Sequence, residues 1–490
     1  MSAMSVRSAA IWAIASQYTA FAVQFATSVV LARWFIDPHQ LGLFSIAFAA
    51  ITLVAFLQDF GIGRYIMGER DLTEEKVQTA FTLSITVAWS IAAVAILLAW
   101  PVAWFYQNPE LLTLSLVIGC SYLMVPLAIV PQALCQRRMD FKSNAMIEVG
   151  AALSNAAVSL TLAMQGMGAL ALAWGAFAQQ AARMVVSQWR SGGMLPWPWR
   201  MQGIRPILAL GGTNTVQVFC STITIRVPEL LIGRVLNEAA VGLFARATGL
   251  AAQLRLLVSG AVTGVFYPAF RKVRDEGQPL GPPYLRVVAA YTGITWPAMA
   301  GIAVLAEPLV AMLYGPRWIA AAPLLAWIAL AQLCYGSVPL NLDLPVLLGR
   351  LRDMVRLNLV ETISSLVLLA VAAPFGLKWI AISRLAHGLF FIALYMPFMR
   401  TMLDFRWRDL LALYGKSLIA TLAAIAPVLA GYGLVAGPAE AGLGQLALGV
   451  IGGVLAWLLA LAVLRHPLLG EIEAILSDLL AKRPAARPNR

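Results

Sequence analysis

The chain has 490 residues, of which 60% are hydrophobic and 12% are charged, and its mean hydropathy is +0.79. Soluble domains carry about 25% charged residues, so a chain this apolar has too few polar side chains to cover a water-facing surface. The composition excludes a soluble enzyme, a disordered chain and a secreted disulfide scaffold, and it indicates a polytopic membrane protein.

The charge balance is strongly basic. The chain carries 35 Lys and Arg residues against 23 Asp and Glu residues, which gives a net charge of +12. In a soluble domain this excess would suggest a nucleic-acid partner. In a membrane protein the positive-inside rule explains it more simply, because cytoplasmic loops collect Lys and Arg. We therefore expect no nucleic acid among the partners.

Apolar runs follow one another along almost the whole chain. A helix needs about 20 largely apolar residues to cross the hydrocarbon core, so the sequence predicts an all-α polytopic membrane protein with about 14 transmembrane helices. The predicted spans lie near residues 9–33, 41–63, 77–100, 109–131, 143–164, 166–187, 205–233, 239–267, 286–313, 318–343, 357–376, 378–399, 413–434 and 442–464. No connection between them is long enough to fold as a domain of its own.

Basic residues concentrate in alternate connections. If the first span enters from the cytoplasm, most Lys and Arg residues fall in cytoplasmic connections, such as Arg137, Arg138 and Lys142 between spans 4 and 5. The positive-inside rule then places both termini in the cytoplasm. After the last span, apolar residues recur at helical spacing between Leu468 and Leu480, which predicts a short amphipathic helix on the cytoplasmic face.

Two segments about 200 residues apart resemble each other. LARWFIDPHQLGLFSIA runs from Leu31 to Ala47, and IGRVLNEAAVGLFARA runs from Ile232 to Ala247. In both segments an arginine at a helix end precedes a polar turn, and a Gly-Leu-Phe sequence follows. The similarity predicts that the chain contains an internal repeat.

Two further pairs keep the same order. In the first, an arginine-rich loop carries an aspartate and a glutamate follows eight positions later, so that Asp140 and Glu148 match Asp353 and Glu361. This symmetry favours a structural role for the two glutamates, such as pairing with the loop arginines. In the second, weaker pair, residues 166–172 match residues 376–382.

The copies are separated by six spans, so each pair lies on the same side of the membrane and the repeats are parallel. We predict an N-terminal lobe of spans 1–6 (residues 1–190), a cytoplasmic linker (191–204) and a C-terminal lobe of spans 7–12 (205–400). Spans 13 and 14 (401–464) and a cytoplasmic amphipathic helix with a tail (465–490) complete the chain. Transporters with such repeats bind substrate between the lobes and work by alternating access.

The LARWFIDPHQLGLFS turn, the RRMDF loop and the LLIGRVLNEAAVGLFARA hairpin together resemble bacterial polysaccharide-transport proteins. These are flippases of undecaprenyl-pyrophosphate-linked oligosaccharides within the multidrug/oligosaccharidyl-lipid/polysaccharide exporter superfamily. The resemblance implies a two-lobed fold with a central cavity in the bacterial inner membrane. It also implies that a lipid-linked glycan moves from the inner to the outer leaflet for surface polysaccharide synthesis. The implied partners are this substrate, membrane lipids and the glycan polymerase machinery.

Four arginines lie deep in predicted spans: Arg226 on span 7, Arg246 and Arg255 on span 8, and Arg384 on span 12. Intramembrane charges are costly and mark functional sites by default. An arginine about 4 Å from a phosphate gains about 4 kcal/mol at an effective dielectric constant of about 20, before desolvation. The arginine fork also matches phosphate oxygens in pairs. We therefore expect these four arginines to bind the pyrophosphate, and Arg255 above all, since its own helix has no carboxylate nearby.

Other interpretations stay open at two of these positions. Arg226 lies three residues before Glu229, close enough for an ion pair on one helix face. Arg246 lies in the repeated segment, where packing at the outer rim is an equal alternative.

Gln17 and Gln24 on span 1 share a helix face and are candidates for contacting sugar hydroxyls, although hydrogen bonding between helices is the more common use of such residues.

Two carboxylates are candidates for ion coupling. Many relatives carry an acidic residue just before the LLIG run, and Glu229 occupies that position here, with Arg226 as a nearby counter-ion. Asp59 on span 2 can line the cavity or bind a cation, and pairing with Arg64 is its alternative.

Sequence patterns for catalysis are absent: the chain has no HExxH, CxxC or Gly-x-Ser-x-Gly motif. We expect a transporter that is not an enzyme and has no cofactor and no metal site. The alternatives to a flippase are a multidrug/cation antiporter of the same superfamily, which would favour carboxylates in its cavity, and a membrane glycan polymerase or ligase, which would need a large outer loop with catalytic charges.

Overall fold

The computed structural model describes residues 6–58, 61–191, 200–201, 203–433 and 442–470. Within these ranges the chain is helical and forms no strand. In chain order the helices are α1 (Val6–Val30), α2 (Pro38–Ala55), α3 (Ile62–Gly68), α4 (Glu74–Tyr106), α5 (Glu110–Ser121), α6 (Val125–Arg137), α7 (Phe141–Met164), α8 (Ala169–Ser191), α9 (Arg205–Val235), α10 (Glu238–Asp275), α11 (Gly281–Val304), α12 (Ala306–Tyr314), α13 (Ala322–Gly336), α14 (Asp343–Leu347), α15 (Leu351–Ala372), α16 (Leu377–Leu403), α17 (Trp407–Gly433) and α18 (Leu443–Val463).

Twelve helical segments of the described chain are long and apolar enough to cross a membrane. The all-α polytopic architecture is therefore confirmed. Two further helices, α8 and α10, have 23 and 38 residues and are also long enough, but they are less apolar. In α8 the apolar sequence is interrupted by Gln179, Gln180 and Arg183, and in α10 it is interrupted by Arg246 and Arg255. The number of about 14 spans stays a prediction.

The chain divides into two compact units. Unit 1 comprises residues 1–245 and 313–318, and unit 2 comprises residues 246–312 and 319–490, so the division falls within α10. The boundaries of the six-span lobes and of spans 13 and 14 stay a prediction. Most of the predicted linker and the amphipathic helix and tail beyond residue 470 lie outside the described residues.

In unit 1, α8 packs against α5, α6 and α7, while α2 packs against α4, α5 and α9. Small residues let these helices approach closely, as is usual where lipid removes the hydrophobic driving force between helices. Ala151 and Ala152 of α7 and Ala171 and Ala173 of α8 are at most 1% exposed. A second core lies between α3, α4 and α6.

In unit 2, α11 packs against α13 and α17, α16 packs against α13 and α15, and α17 packs against α18. The core of this unit is rich in aromatic and methionine side chains. Tyr284, Tyr395 and Met399 are fully buried there, and Phe391 and Phe405 are also buried. Because aromatic side chains bury large areas, they fix the distances between these helices.

The repeated segments begin two equivalent helices. Asp37 caps α2, since its Oδ1 accepts a hydrogen bond from the Gln40 backbone N at 2.8 Å while the Gln40 side chain accepts one from the Asp37 backbone N at 3.3 Å. Asn237 caps α10 in the same way, with its Oδ1 accepting from the Ala240 backbone N at 2.8 Å. Each cap satisfies an N–H group that has no partner inside its helix.

The glycine of each Gly-Leu-Phe sequence lies where α2 and α10 cross, within unit 1. A Cβ atom on Gly42 would overlap the backbone carbonyl of Glu238, and a Cβ atom on Gly242 would overlap the backbone carbonyl of Pro38. The two helices therefore touch backbone to backbone. The two copies of the Gly-Leu-Phe sequence therefore contact each other.

The weaker repeat also has matching local structure. Gly166, at the end of α7, has a φ of 80°, and Gly376, before α16, has a φ of 96°. Side chains with a Cβ rarely adopt this region, so both turns favour glycine.

A buried polar chain joins the end of α18 to α17 and α11. His466 is 2% exposed. Its Nδ1 accepts from the Leu468 backbone N at 3.2 Å, and its Nε2 lies 3.1 Å from Ser417 Oγ. Ser417 Oγ lies 2.9 Å from Thr292 Oγ1, which donates to the Val288 carbonyl. Because Nδ1 must accept, this network holds the imidazole in its neutral form.

The close contact between α2 and α10 predicts that substitutions of Gly42 and Gly242 destabilise the protein, whereas a substitution of Gly249 does not. Gly42→Ala and Gly242→Ala should each lower the melting temperature, because overpacking costs about 1–3 kcal/mol and here the obstructing atoms belong to the backbone. Gly249→Ala on α10 is the matched control, since no atom lies within 4 Å of a Cβ built there. Thermal unfolding of the three purified variants measures the effect. Equal melting temperatures would contradict the crossing.

The His466 network predicts a pH dependence of stability. Burial and the nearby Lys416 charge lower the pKa of His466 to about 4, whereas an unfolded histidine titrates near pH 6.5. Between these values the unfolded chain binds more protons, so the free energy of unfolding falls as the pH drops from about 6.5 to about 4, and this contribution is complete above about 6.5.

Thermal unfolding in detergent across that pH range measures the fall. His466→Gln retains a side-chain amide that can donate to Ser417 but has no imidazole to titrate. We expect its stability to decline less over the same range than that of the wild type. Parallel declines would show that His466 does not carry the pH dependence.

Candidate functional site

The four arginines expected to bind substrate belong to different units. Arg226 lies in unit 1, and Arg246, Arg255 and Arg384 lie in unit 2. All four are half-buried on long helices. They differ in how the surrounding residues compensate their charge, and this difference separates structural arginines from candidate ligand-binding ones.

Arg226 has a counter-ion and an aromatic neighbour. Its Nη1 lies 3.5 Å from Glu229 Oε2, one turn further along α9, and its guanidinium carbon lies 4.9 Å from the centroid of the Phe48 ring. The side chains of Arg226 and Glu229 are 25% and 10% exposed. The ion pair that the sequence left open is therefore present, and much of the Arg226 charge is compensated within unit 1. Its role in substrate binding and the role of Glu229 in ion coupling stay predictions.

Arg255 is in a different situation. Its Nε is buried and makes no hydrogen bond, and among the residues that the structure describes it has no ion pair. A buried guanidinium donor without an acceptor costs free energy that a bound anion would recover. Arg246 lies nine residues earlier, about two and a half turns away, so it faces another direction. Arg246 does have an interaction within the described structure.

Arg384 belongs to a group of polar residues on three helices of unit 2. Its Nη1 donates to Ser365 Oγ of α15 at 2.9 Å, and it interacts electrostatically with Glu361 and His387. Tyr335 of α13 completes the group. We call Tyr335, Glu361, Ser365, Arg384 and His387 the unit 2 polar cluster.

His387 lies at the centre of this cluster and is 1% exposed. Its Nδ1 is 2.7 Å from the Tyr335 hydroxyl, and its Nε2 is 3.2 Å from the Glu361 backbone carbonyl and 3.8 Å from Glu361 Oε1. A carbonyl oxygen can only accept, so Nε2 carries the hydrogen and Nδ1 accepts from Tyr335. Both ring nitrogens are satisfied in the neutral form.

Sequence reasoning did not assign a role to His387 or Tyr335. The available signal was weak, since a single polar side chain in an apolar span commonly serves only to hydrogen-bond one helix to another. The pairing of the repeat-related glutamates also differs from the expectation. Glu148 accepts hydrogen bonds from Arg183 of α8 at 3.0 Å and from Gln132 of α6 at 2.8 Å. Neither Glu148 nor Glu361 pairs with a loop arginine among the described contacts.

The remaining polar candidates are placed only in part. Gln17 and Gln24 are both exposed on α1, and neither makes a side-chain hydrogen bond to another described residue. Their proposed contact with sugar hydroxyls stays a prediction. Asp59, the second candidate for ion coupling, lies outside the described residues. In the described part of the chain, no three His, Cys, Asp or Glu side chains are grouped so that they could hold a metal ion.

Comparisons with known proteins give a consistent result. A family model described as polysaccharide biosynthesis protein matches residues 30–323, which is more than half of the chain. The lipopolysaccharide biosynthesis protein WzxC of Escherichia coli (strain K12) is 23% identical over 65% of this chain and 65% of its own length. The succinoglycan biosynthesis transport protein ExoT of Rhizobium meliloti (strain 1021) is 24% identical over 66% of this chain and 65% of its own length. The chain thus matches slightly less than two thirds of the length of these relatives.

A solved structure resembles nearly the whole chain. The lipid II flippase MurJ, in an inward closed conformation, superposes with a TM-score of 0.71 at 11% sequence identity, covering 92% of this chain and 98% of that one. At this identity the similarity shows a common fold.

The ion pair on α9 predicts non-additive effects on stability. Glu229→Gln should lower the melting temperature, because removing one partner of a buried pair leaves a charge uncompensated, at a cost of up to about 3–5 kcal/mol when burial is complete. Arg226→Met combined with Glu229→Gln should recover part of that loss, since no lone charge remains. Glu110→Gln at an exposed position is the control. Strictly additive losses in thermal unfolding would count against the pair.

Proposed function

Because the chain belongs to the polysaccharide biosynthesis protein family, we propose that it is a flippase for an undecaprenyl-pyrophosphate-linked oligosaccharide. It moves this substrate from the inner to the outer leaflet of the bacterial inner membrane for the synthesis of a surface polysaccharide. The observation that carries the proposal is the buried Nε of Arg255, which has no hydrogen-bond partner among the described residues and lies on a helix long enough to span the membrane.

The chemistry of the substrate explains the need for such a residue. A lipid pyrophosphate keeps its isoprenoid tail in the acyl region, but its charged head must leave the headgroup layer. Moving an isolated anion into a low-dielectric region is costly, so the transporter has to offer compensating charge. A guanidinium does so with several donors in a fixed fork and stays charged at every physiological pH.

The arginines differ in their proposed contribution. Arg255 supplies an unused donor and is the principal phosphate ligand. Arg384 and Arg246 assist it, whereas Arg226 contributes less because Glu229 and Phe48 already compensate its charge. Gln17 and Gln24 are exposed on α1 and offer amide groups to sugar hydroxyls.

The setting of the protein follows from the same proposal. It is a multi-pass membrane protein, with both termini in the cytoplasm according to the positive-inside rule. It acts as a transporter by alternating access and not as an enzyme, and it hands its product to the glycan polymerase machinery. A multidrug/cation antiporter is less well supported, because a carboxylate for a cationic drug should be uncompensated. Glu229 lies beside Arg226, and Glu361 interacts with Arg384.

Substitution of Arg255 tests the proposal. The purified protein is reconstituted in liposomes, and the flipping of a fluorescent undecaprenyl-pyrophosphate oligosaccharide is followed. A hydrogen bond to a charged group is worth about 1.5–3 kcal/mol, so Arg255→Ala should slow flipping by about 10–100-fold. Arg255→Lys keeps the charge without the fork and should retain part of the rate.

Arg356→Ala is the matched control, because Arg356 is exposed near the start of α15. It should flip the probe at the wild-type rate. Wild-type flipping by a correctly folded Arg255→Ala protein would remove the site assignment. Absence of flipping by the wild type itself would overturn the proposed function.

A further inference from the structure

One member of the unit 2 polar cluster, Glu361, has a charge state that its neighbours do not determine. His387 is satisfied as a neutral ring on both sides, and a positive charge on it would face Arg384 one turn away on α16. The Arg384 guanidinium is a permanent cation, and the Tyr335 hydroxyl donates to His387 Nδ1. Glu361 is therefore the member of the cluster that can change its charge while the others keep theirs.

The surroundings of Glu361 allow either charge state. Its side chain is 18% exposed, so protons can reach it, and no described side chain donates a hydrogen bond to its carboxylate. His387 Nε2 lies 3.8 Å from Glu361 Oε1, beyond hydrogen-bond distance, and it donates to the Glu361 backbone carbonyl at 3.2 Å. A carboxylate without donors and mostly out of water gains much from protonation, while the Arg384 charge favours the ionised form. The two influences oppose each other.

Other titratable groups lie on the helices around the cluster. The helices that pack against α15 and α16 carry Tyr335 and Cys334 on α13, Tyr284, Arg286 and Tyr291 on α11, and Asp343 on α14. The other titratable or charged residues of α15 and α16 are Arg352, Asp353, Arg356, Lys378, Tyr395 and Arg400. Among described residues, the interactions of the Glu361 carboxylate are with Arg384, Tyr335 and His387.

We propose that Glu361 is a proton-binding site whose charge state sets the affinity of Arg384 for a phosphate group of the substrate. When Glu361 is ionised, it competes with the phosphate for the Arg384 charge. When Glu361 takes up a proton from water, the Arg384 charge is uncompensated and attracts the anion. The proposal rests on the proposed function for the identity of the anion.

The site suits a proton better than a metal cation. A bound cation would be repelled by Arg384, and the cluster offers one carboxylate and no second acidic ligand. The described residues contain no group of three His, Cys, Asp or Glu side chains that could hold a metal. A proton needs only one acceptor, and Glu361 provides it.

Thermodynamic linkage makes the coupling measurable. If the proton raises the affinity for the anion, the anion must raise the affinity for the proton by the same factor. Coupling between sites is typically 5–150-fold, and for charges in one cluster we expect about tenfold. The affinity for the anion should therefore increase as the pH falls, and one residue should account for the change.

The experiment measures binding of undecaprenyl pyrophosphate to the purified full-length protein in detergent between about pH 5 and about pH 8. Glu361→Gln resembles the protonated form and should bind about tenfold more tightly than the wild type at high pH but equally at low pH. Comparing proteins at the same pH cancels the titration of the probe itself. Glu361→Gln combined with Arg384→Gln should bind like Arg384→Gln alone.

Glu148→Gln is the matched control. Glu148 is the repeat counterpart of Glu361, but Arg183 and Gln132 hold it in place by hydrogen bonds. Its substitution should leave the pH dependence of binding at the wild-type value. In parallel, infrared spectroscopy of the protein without the probe should show a carboxylic-acid band that grows as the pH falls and is missing in Glu361→Gln.

Identical affinities of the wild type and Glu361→Gln at every pH would overturn the inference, even if Arg255→Ala slows flipping as expected and the proposed function stands. Absence of a Glu361-dependent infrared band would overturn it as well. If the wild type binds the probe at no pH, the proposed function fails, and the link to phosphate fails with it. A pH dependence that Glu148→Gln also removes would assign the effect to the fold rather than to this site.

Discussion

A charge inside a membrane has to be compensated, and this requirement explains the partners of the buried arginines Arg183 and Arg226. Hydrocarbon offers no hydrogen bonds and little screening, so an ionisable side chain is tolerated only beside a partner, near water or at a ligand site. Arg183 is compensated by Glu148, and Arg226 by Glu229 and the Phe48 ring. Arg255 lacks such a partner within the described residues. Because uncompensated charges are rarely tolerated in a membrane, Arg255 is a candidate ligand-binding residue.

The absence of water also determines how the helices pack against each other. Helices in lipid gain little from hydrophobic burial against each other, so they associate through close contact of small residues and through side-chain hydrogen bonds. The crossing of α2 and α10 at Gly42 and Gly242 is the first kind of contact, and the chain from His466 to Thr292 is the second. These contacts hold helices whose charged side chains could not by themselves stabilise the fold.

An anionic lipid head poses the reverse problem, since its charge must pass through the region that excludes charge. A transporter can offer permanent cations, and arginine is the natural choice because it does not lose its proton. A permanent cation also binds its anion too persistently unless something competes with it. A carboxylate near an arginine supplies that competition, and this is the role proposed for Glu361, which interacts electrostatically with Arg384.

Composition and hydropathy along the chain were sufficient for the all-α membrane architecture, because they are local properties. The family was identified from a resemblance carried by three short motifs, and the family model supports it. The internal repeat stays a prediction. The polar turns before α2 and α10 were also predicted, and the structure adds that Asp37 and Asn237 cap the helices that follow. The partners of the buried charges could not be predicted from the sequence. Glu229 lies on the same helix as Arg226, so their pairing was foreseen, but Glu361 meets His387 and Tyr335 from two other helices. Which faces of separate helices meet depends on packing across the whole bundle, and that information is spread over residues far apart in the chain.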